Sequence, residues 1–434
     1  MKKRIPALIL TLCLLLSTAA YAAVPSSDEH MRGVWVSSVF NLDYPAKPTT
    51  DAAALRKQAD TALNNIQSMG LNTVFLQVHP STDALYPSKI YPWSRFLTGS
   101  VGTAPSGGFD PLRYWIDGAH ARGLELHAWL NPYRITTGKK AEWDALPASH
   151  PAKQHADWVV PYNGNYYWNP GIPGVVNLLE SGVREILDNY PDVDGIHMDD
   201  YFYPGTTFDD AATYKTYGGG LGLADWRRAN VNTLVNRIHT LIHQKNPAAS
   251  FGISPSGVWE NRSADPRGSA TSGGNPSYSQ AYADTLTWIE QGMVDYVCPQ
   301  LYWYIGQSAA DYAVLTDWWA NAVKGSGVKL YIGEAAYKCG DTSQAALWQT
   351  TGELTRHLKL CAARPEVSGN IFFSYGSLRD KSAFANEIRT YYASLPSMPE
   401  ATPTPPATDD NSAQLVGMAS YLHTLGLFLQ SILR

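Results

Sequence analysis

The stretch DGIHMDDYFYP, Asp194–Pro204, sets two carboxylates side by side, Asp199 and Asp200, where a short apolar run ends, and follows them with Tyr201 and Tyr203. Hydrolysis of a glycosidic bond needs two carboxyl groups, one protonated as acid and one ionised as base or nucleophile. Adjacent acids in an enclosed cleft perturb each other, because like charges resist joint ionisation. Neighbouring side chains on an extended chain point apart. One of the pair would then face a cleft while the other orients it or holds an Arg or Tyr. The competing reading is a salt-bridged structural pair at a strand end. A second reacting carboxyl has to come from another loop. Asp83, Glu334 and Glu260 are the candidates, and spacing along the chain does not choose among them.

The elements that must position these groups are legible as a repeat. Eight apolar, strand-like runs recur: Arg32–Val39, Asn72–His79, Leu124–Leu130, Val193–Asp199, Ser250–Ser256, Val294–Gln300, Val328–Glu334 and Gly369–Tyr375. Helical stretches lie between them. Ala53–Gly70 and Pro111–Gly123 end on Gly, and the latter starts at a Pro with Asp110 as N-cap. Trp226–Pro247, Thr285–Gly292 and Ala345–Ala362 follow the same grammar. Strand then helix, eight times, predicts parallel strands joined by helical crossovers, a (β/α)8 TIM barrel of the α/β class with loop insertions. A doubly wound open sheet is the alternative, but NLDYP stands after Val39 where such folds carry a Gly-rich phosphate turn. The largest insertion, 131–189, is rich in aromatics and prolines. In a barrel, chemistry sits at the C-terminal ends of the strands. Asp194 and Asp295 precede their strands and are expected to be structural.

Polar groups cluster where the strands should end. Strand 1 runs to Asn41 and Asp43, strand 2 to Gln77, His79 and Asp83, and strand 3 to Asn131 and Arg134. Strand 4 gives Asp199, Asp200 and Tyr201, and strand 5 Trp259 and Glu260. Strand 6 gives Gln300, Tyr302 and Trp303, strand 7 Glu334, Tyr337 and Lys338, and strand 8 Ser374 and Tyr375. His79, His127, His197 and Asp199 offer a conceivable set of zinc ligands. The His-x-His strand pair of many barrel metallohydrolases is absent, and lone buried-strand histidines are more often hydrogen-bonded core residues, so no metal is expected. No G-x-S-x-G elbow supports a serine hydrolase.

The chain has 434 residues and a formal charge of −5, with basic residues scattered, which argues against a nucleic-acid partner. MKKR, an apolar run and Ala20-Tyr21-Ala22 read as a signal peptide over 1–22. The protein is therefore expected to be exported to periplasm, cell surface or medium; a lipidated Cys13 is a minor alternative. Of Cys298, Cys339 and Cys361, the last two are a candidate pair, and no CxxC or CxxH spacing suggests zinc. The barrel domain is assigned to 31–395. A Pro/Thr-rich linker spans 396–412. An amphipathic helix spans 413–434, with Leu415, Met418, Leu422, Leu425, Leu429 and Ile432 on one seam. It suits self-association, protein docking or membrane contact.

Seven motifs, RGVWVSSVFNLDYP, FLQVHPSTDALYPS, HAWLNPYR, DGIHMDDYFYP, FGISPSGVWEN, DYVCPQLYW and YIGEAAYK, in this order over roughly 31–395, resemble the glycosyl-hydrolase-like 10 family of bacterial envelope proteins. The resemblance implies a TIM-barrel glycosidase acting on cell-wall glycan, peptidoglycan strands lacking stem peptides foremost. It places Asp199 and Asp200 at the family's paired acids, and Asn131, Arg134, Gln300 and Tyr302 among its cleft polars. The second-strand motif departs from the family's QVRP, with His79 in place of Arg. No fixed acid is expected at Glu334 or Glu260, which favours Asp83 as the assisting carboxyl. Tyr201, Tyr203, Trp168, Trp259 and Trp303 would stack on sugar faces, and His79, Tyr337 and Lys338 complete the substrate-binding set. No cofactor is required. A glycan-binding barrel without turnover is the alternative.

Overall fold

The computed structural model describes residues 30–350 and 352–394. The expected signal peptide, linker and C-terminal helix lie outside the described residues. The expected alternation is present. In chain order the strands are β1 (Met31–Val36), β2 (Thr73–His79), β3 (Glu125–Leu130), β4 (Val159–Tyr162), β5 (Asn165–Trp168), β6 (Gly195–Met198), β7 (Ser250–Ile253), β8 (Tyr296–Val297), β9 (Lys329–Glu334) and β10 (Val367–Phe372). Eight of them pair in parallel and close, β1-β2-β3-β6-β7-β8-β9-β10 and back to β1, while β4 and β5 form an antiparallel hairpin inside the 131–189 insertion.

The helices begin where local chemistry caps them. Asp51 accepts the Ala53 N–H at the start of Ala52–Ser68, and Asp110 accepts the Arg113 N–H at the start of Pro111–His120. Leu223–Lys245 and Thr285–Glu290 follow as expected, and Pro173–Asn189, Tyr312–Val323 and Ser382–Ser394 complete the crossovers. The segment expected as one helix over 345–362 is instead a short 3-10 turn, Ala346–Gln349, an extended Thr350, and a helix, Gly352–Ala362. Trp348 lies 5.5 Å from the His357 ring. Nine residues of continuous helix would hold the two about 13 Å apart along the axis. The break lets the tryptophan fold back and bury itself.

Two apolar layers result. The outer one lies between strands and helices, where Leu55, Leu63, Ile66, Trp115, Leu126, Ile186 and Leu234 are wholly buried. Each such side chain contributes roughly 1.5–3 kcal/mol. The inner one fills the barrel with Met31, Trp35, Phe75, Trp129, Tyr296, Cys298, Tyr331 and Ile371. A polar chain threads this inner layer. The Trp35 Nε1–H donates to His197 Nε2 (3.1 Å), which leaves His197 Nδ1–H to donate to the Tyr296 hydroxyl (3.0 Å). That hydroxyl can then donate to His127 Nδ1 (3.0 Å). Burial holds His197 well below its usual titration range, in keeping with a neutral ring. The rings fit because small residues face them: a Cβ on Gly195 would stand 2.4 Å from the His127 ring, and one on Gly252 2.1 Å from the Tyr296 ring. Cys298, Cys339 and Cys361 are all buried and free, so the candidate Cys339–Cys361 pair is not formed; Cys361 Sγ instead contacts the Tyr312 hydroxyl at 3.2 Å.

Candidate active site

At the C-terminal end of the barrel strands, the tips of β3 and β6 lie side by side. Alternation along β3 puts Trp129 and Asn131 on one face, and both reach the same oxygen. Trp129 Nε1–H and the Asn131 amide each donate to Asp199 Oδ2 at 3.2 Å. Asp199 and Asn131 are only 3 % exposed. Asp199 Oδ1 and Asn131 Oδ1 are buried with no hydrogen-bond partner. Burial pushes the Asp199 carboxyl up to about 7; nearby Arg134, Trp129 and the Tyr201 backbone N–H oppose this, and the neighbouring Asp200 charge adds to it.

Asp200 is half-buried. Burial raises its carboxyl to about 6, partly offset by its own backbone N–H, the Gln300 amide and Arg134. Gln300 is itself aimed by donating to the Ser254 carbonyl at 2.9 Å. Arg134 is fixed by two bonds to the Pro80 carbonyl, at 3.0 and 2.6 Å, and its guanidinium lies 5.0 Å over the Tyr201 ring. The loop after Tyr201 is pinned from beneath. Arg227, on Leu223–Lys245, bonds the Asp210 carboxylate and the carbonyls of Thr206 and Phe208. This pair is wholly buried, so removing either member would strand a charge.

Exposed aromatics stand on three loops at this end: Phe40 (62 %), Tyr201 (51 %) and Tyr337 (39 %). Tyr337 meets Tyr302 edge-on at 5.8 Å, and Lys338 donates to the Tyr302 carbonyl at 2.6 Å. Lys338 thus buttresses the loop after β8, and burial lowers its ammonium pKa. Trp303 is half-buried beside Gly257 and Gly274. Trp129 and Phe40 were not among the residues expected here. The signal for Trp129 was its position two before Asn131 on the same strand face; Phe40, one residue before the noted Asn41, carries none in the sequence.

Several candidates are placed elsewhere. Glu334 is wholly buried on the outer side of β9, bonded by Tyr312 (2.6 Å), His357 Nδ1 (2.9 Å) and Asn370 (2.8 Å). Its neighbours Tyr331 and Gly333 take the inward positions, so alternation turns Glu334 toward the helices. His79 also leaves the interior, because a register shift between Gln77 and His79 breaks the alternation. Its Nε2 pairs with the Tyr86 hydroxyl at 2.6 Å, and burial lowers its pKa to about 3. Trp259, Trp168 and Tyr203 are at most 2 % exposed and offer no face to a sugar. Asp83 sits in the loop after β2 with the Ser81 N–H at 3.0 Å. Burial raises it to about 6, with Ser94 as a further partner and Arg95 and Glu142 as the neighbouring charges. That is a different environment from that of Asp199. Glu260 accepts the adjacent Asn261 N–H at 2.8 Å.

The interior histidines are spent on Trp35, Ser254 and Tyr296 and converge on no metal position with Asp199. Among the described residues, one trio has metal-binding geometry, His239, His243 and Asp295, at the opposite end of the barrel.

A closed parallel barrel with two raised carboxyls at the tip of its fourth strand, flanked by a guanidinium, amides and exposed aromatics, defines a (β/α)8 protein of glycoside-hydrolase type. Comparison with known proteins agrees. The model of the family described as "Glycosyl hydrolase-like 10" matches residues 30–350. The chain is 40% identical over 414 residues to "Glycosyl hydrolase YngK" of Bacillus subtilis (strain 168), covering 91% of this chain and 80% of that protein. It is 42% identical over 374 residues to "Glycosyl hydrolase DigH" of Escherichia coli (strain K12), covering 81% and 84%. An endo-β-1,4-mannanase from Thermotoga petrophila shares the fold, with a TM-score of 0.53 at 13% identity over 87% of this chain and 80% of that one. This chain belongs to the glycosyl hydrolase-like 10 family.

Proposed function

We propose that this protein is an exported glycoside hydrolase that cleaves cell-wall glycan, foremost the N-acetylated backbone of peptidoglycan freed of its stem peptides, by carboxyl acid/base catalysis. The observation that carries this reading is the Asp199–Asp200 pair: two adjacent carboxyls at the barrel's open end, both raised, one buried and short of partners, the other half-buried. Raised carboxyls keep a proton near neutral pH, as a general acid requires. Arg134 and Gln300 hold charge and orientation beside them, and Tyr201 and Tyr337 offer ring faces to a sugar. The N-terminal pattern at 1–22 supports export. The two relatives, both named glycosyl hydrolases, support hydrolysis of a glycan.

The test is digestion of amidase-treated peptidoglycan by the wild type and by Asp199→Asn and Asp200→Asn variants. Soluble glycan fragments from the wild type alone are the expected result. Binding by all three with product from none would replace this reading with a glycan-binding barrel. Export is checked by N-terminal sequencing of the secreted protein, which should begin at Ala23.

A further inference from the structure

The strand-end acids that could supply a second reacting carboxyl make their hydrogen bonds away from the Asp199–Asp200 pair. Asp43 takes the N–H of Ser37 (2.8 Å), the N–H of Gly376 (2.6 Å) and the Ser374 hydroxyl (3.0 Å). Asp83 is held by Ser81, Glu260 by Asn261, and Glu334 faces the helices. What remains is the adjacent pair. A retaining enzyme with a protein nucleophile places its two carboxyls on opposite faces of the sugar, about 5–5.5 Å apart. Consecutive residues have Cα atoms only about 3.8 Å apart. Asp199 is moreover clamped through one oxygen by Trp129 and Asn131 at the floor, while Asp200 stands higher and half-buried. The two are suited to adjacent positions on one side of a sugar ring.

The floor also carries a specific deficit. Asp199 Oδ1 and Asn131 Oδ1 are buried acceptors with no donor. Leaving such atoms unpaired is costly, so a bound substrate is expected to supply N–H or O–H groups there. On a sugar, the group next to the anomeric carbon that offers both an N–H and a nucleophilic oxygen is a 2-acetamido substituent.

We propose that Asp199 is the acceptor for the N–H of a 2-acetamido group on the sugar being cleaved, and that the acetamido carbonyl oxygen, rather than a protein side chain, is the nucleophile. Asp200 is the general acid and then the general base. This rests on the glycosidase reading above and names the substrate class for the same site. In the first step the Asp200 carboxyl gives its proton to the glycosidic oxygen, which leaves with the bonding pair. The acetamido oxygen bonds to the anomeric carbon and closes an oxazolinium ring, whose N–H⁺ is held by the Asp199 carboxylate. In the second step water attacks the anomeric carbon and gives its proton to Asp200. The ring C–O bond breaks, and its electrons restore the acetamido carbonyl. Two inversions give net retention, and no electrons are lost or gained. Burial is what raises the Asp199 carboxyl, and a further donor from the substrate on Oδ1 would favour its ionised form.

The main comparison uses the full-length wild-type enzyme, so its outcome does not depend on the folding of a variant. Aryl glycosides of N-acetylglucosamine oligomers are compared with N-fluoroacetyl, N-difluoroacetyl, N-trifluoroacetyl and de-N-acetylated counterparts. Loss of the intramolecular nucleophile should cost about 10³-fold or more in kcat/KM for the de-N-acetylated substrate, because such groups act at effective molarities on the order of 10⁵ M or higher. The fluorinated series should fall in step with the basicity of the carbonyl oxygen. The first product anomer should be retained, and a 1,2-thiazoline analogue of the sugar should inhibit competitively. An Asp199→Ala variant should show a flattened fluorine dependence, which a merely structural defect would not produce. Equal turnover of acetylated and de-N-acetylated substrates, an inverted first product, or a glycosyl-enzyme ester on Asp199 detected by mass spectrometry would each overturn the proposal while leaving the glycosidase reading intact. No turnover of any N-acetylated glycan would overturn both.

Discussion

Asp194 and Asp199 stand at opposite ends of the same four-residue strand, β6, yet their carboxylates are treated in opposite ways. Asp194 Oδ2 accepts the Leu126 N–H of the neighbouring strand at 2.7 Å and pairs with His120 at 2.8 Å. The device is repeated two strands on, where Asp295 accepts the Phe251 N–H at 2.6 Å and pairs with His243 at 3.1 Å. Burial opposes ionisation of Asp295, but His239, the Phe251 N–H and His243 outweigh it and hold the carboxyl below its usual range. At both places an acid ties the start of one strand to its neighbour and to the helix outside. Asp199, at the other end, has two donors on one oxygen, none on the second, and a carboxyl raised to about 7. An acid that is paired and still partly open to solvent, as Asp194 (17% side-chain exposure) and Asp295 (32%) are, stabilises the barrel. An acid left short of donors costs stability and is ready for a ligand, which is the usual trade at a functional site.

That contrast can be broken by substitution at either end. The largest effect is expected at the tip: Asp200→Asn should lower turnover of amidase-treated glycan about 10²–10⁴-fold, the usual contribution of a general acid, with the melting temperature nearly unchanged. A loss below tenfold would remove Asp200 from the chemistry. Next comes Glu334→Ala, which should destabilise by about 3–5 kcal/mol in denaturant titration, because it strips the buried His357 of the carboxylate on its Nδ1 and leaves it only Glu353. Activity per folded molecule should survive; its loss would return Glu334 to the site. Asp194→Ala should cost about 1–3 kcal/mol, the range for leaving a donor such as the Leu126 N–H unpaired, again with turnover retained. A variant with lost turnover and unchanged stability would invert the comparison.

Asp199→Asn sharpens the contrast through pH. The folded carboxyl titrates above its unfolded value, so its favourable contribution is present below about pH 4 and is lost as pH rises through about 7. Asparagine does not ionise. The variant should therefore gain stability over the wild type between pH 4 and pH 8, by up to a few kcal/mol, at about 1.4 kcal/mol for each pH unit separating the folded and unfolded titration points. Denaturant midpoints at the two pH values read this directly, and a constant gap would show that ionisation of Asp199 costs nothing. The smallest effect is expected at the rim, where Tyr201→Ala should raise KM by roughly tenfold or less, about 1 kcal/mol of ring-face contact, and leave kcat in place.

Much of this was readable in the chain, and the failures have physical reasons. The apolar strand runs, the capping aspartate at 110 and the glycine helix stops made the eightfold repeat legible, because caps and hydrophobic pattern are local. Position along a strand also separated Asp194 and Asp295 from Asp199 and Asp200. What sequence did not reveal was which way an end residue faces. Barrel strands are apolar on both sides, so VKLYIGE carries no mark that turns Glu334 outward, and a one-residue irregularity sends His79 to Tyr86 instead of the interior. Trp168 and Trp259 read as sugar platforms until packing buried them.

The amino-acid sequence by itself determined the order of strands and helices, the adjacency of Asp199 and Asp200 and the end of the barrel to which they belong. These follow from hydrophobic period, turn chemistry and covalent neighbourhood. Tertiary structure alone decided that Trp129 and Asn131 clamp one oxygen of Asp199 and leave the other bare, that Arg134 lies beside the pair, and that Glu334 is buried behind it. Those facts depend on barrel closure, which brings the tips of separate strands together and sets, by register, the face each side chain takes.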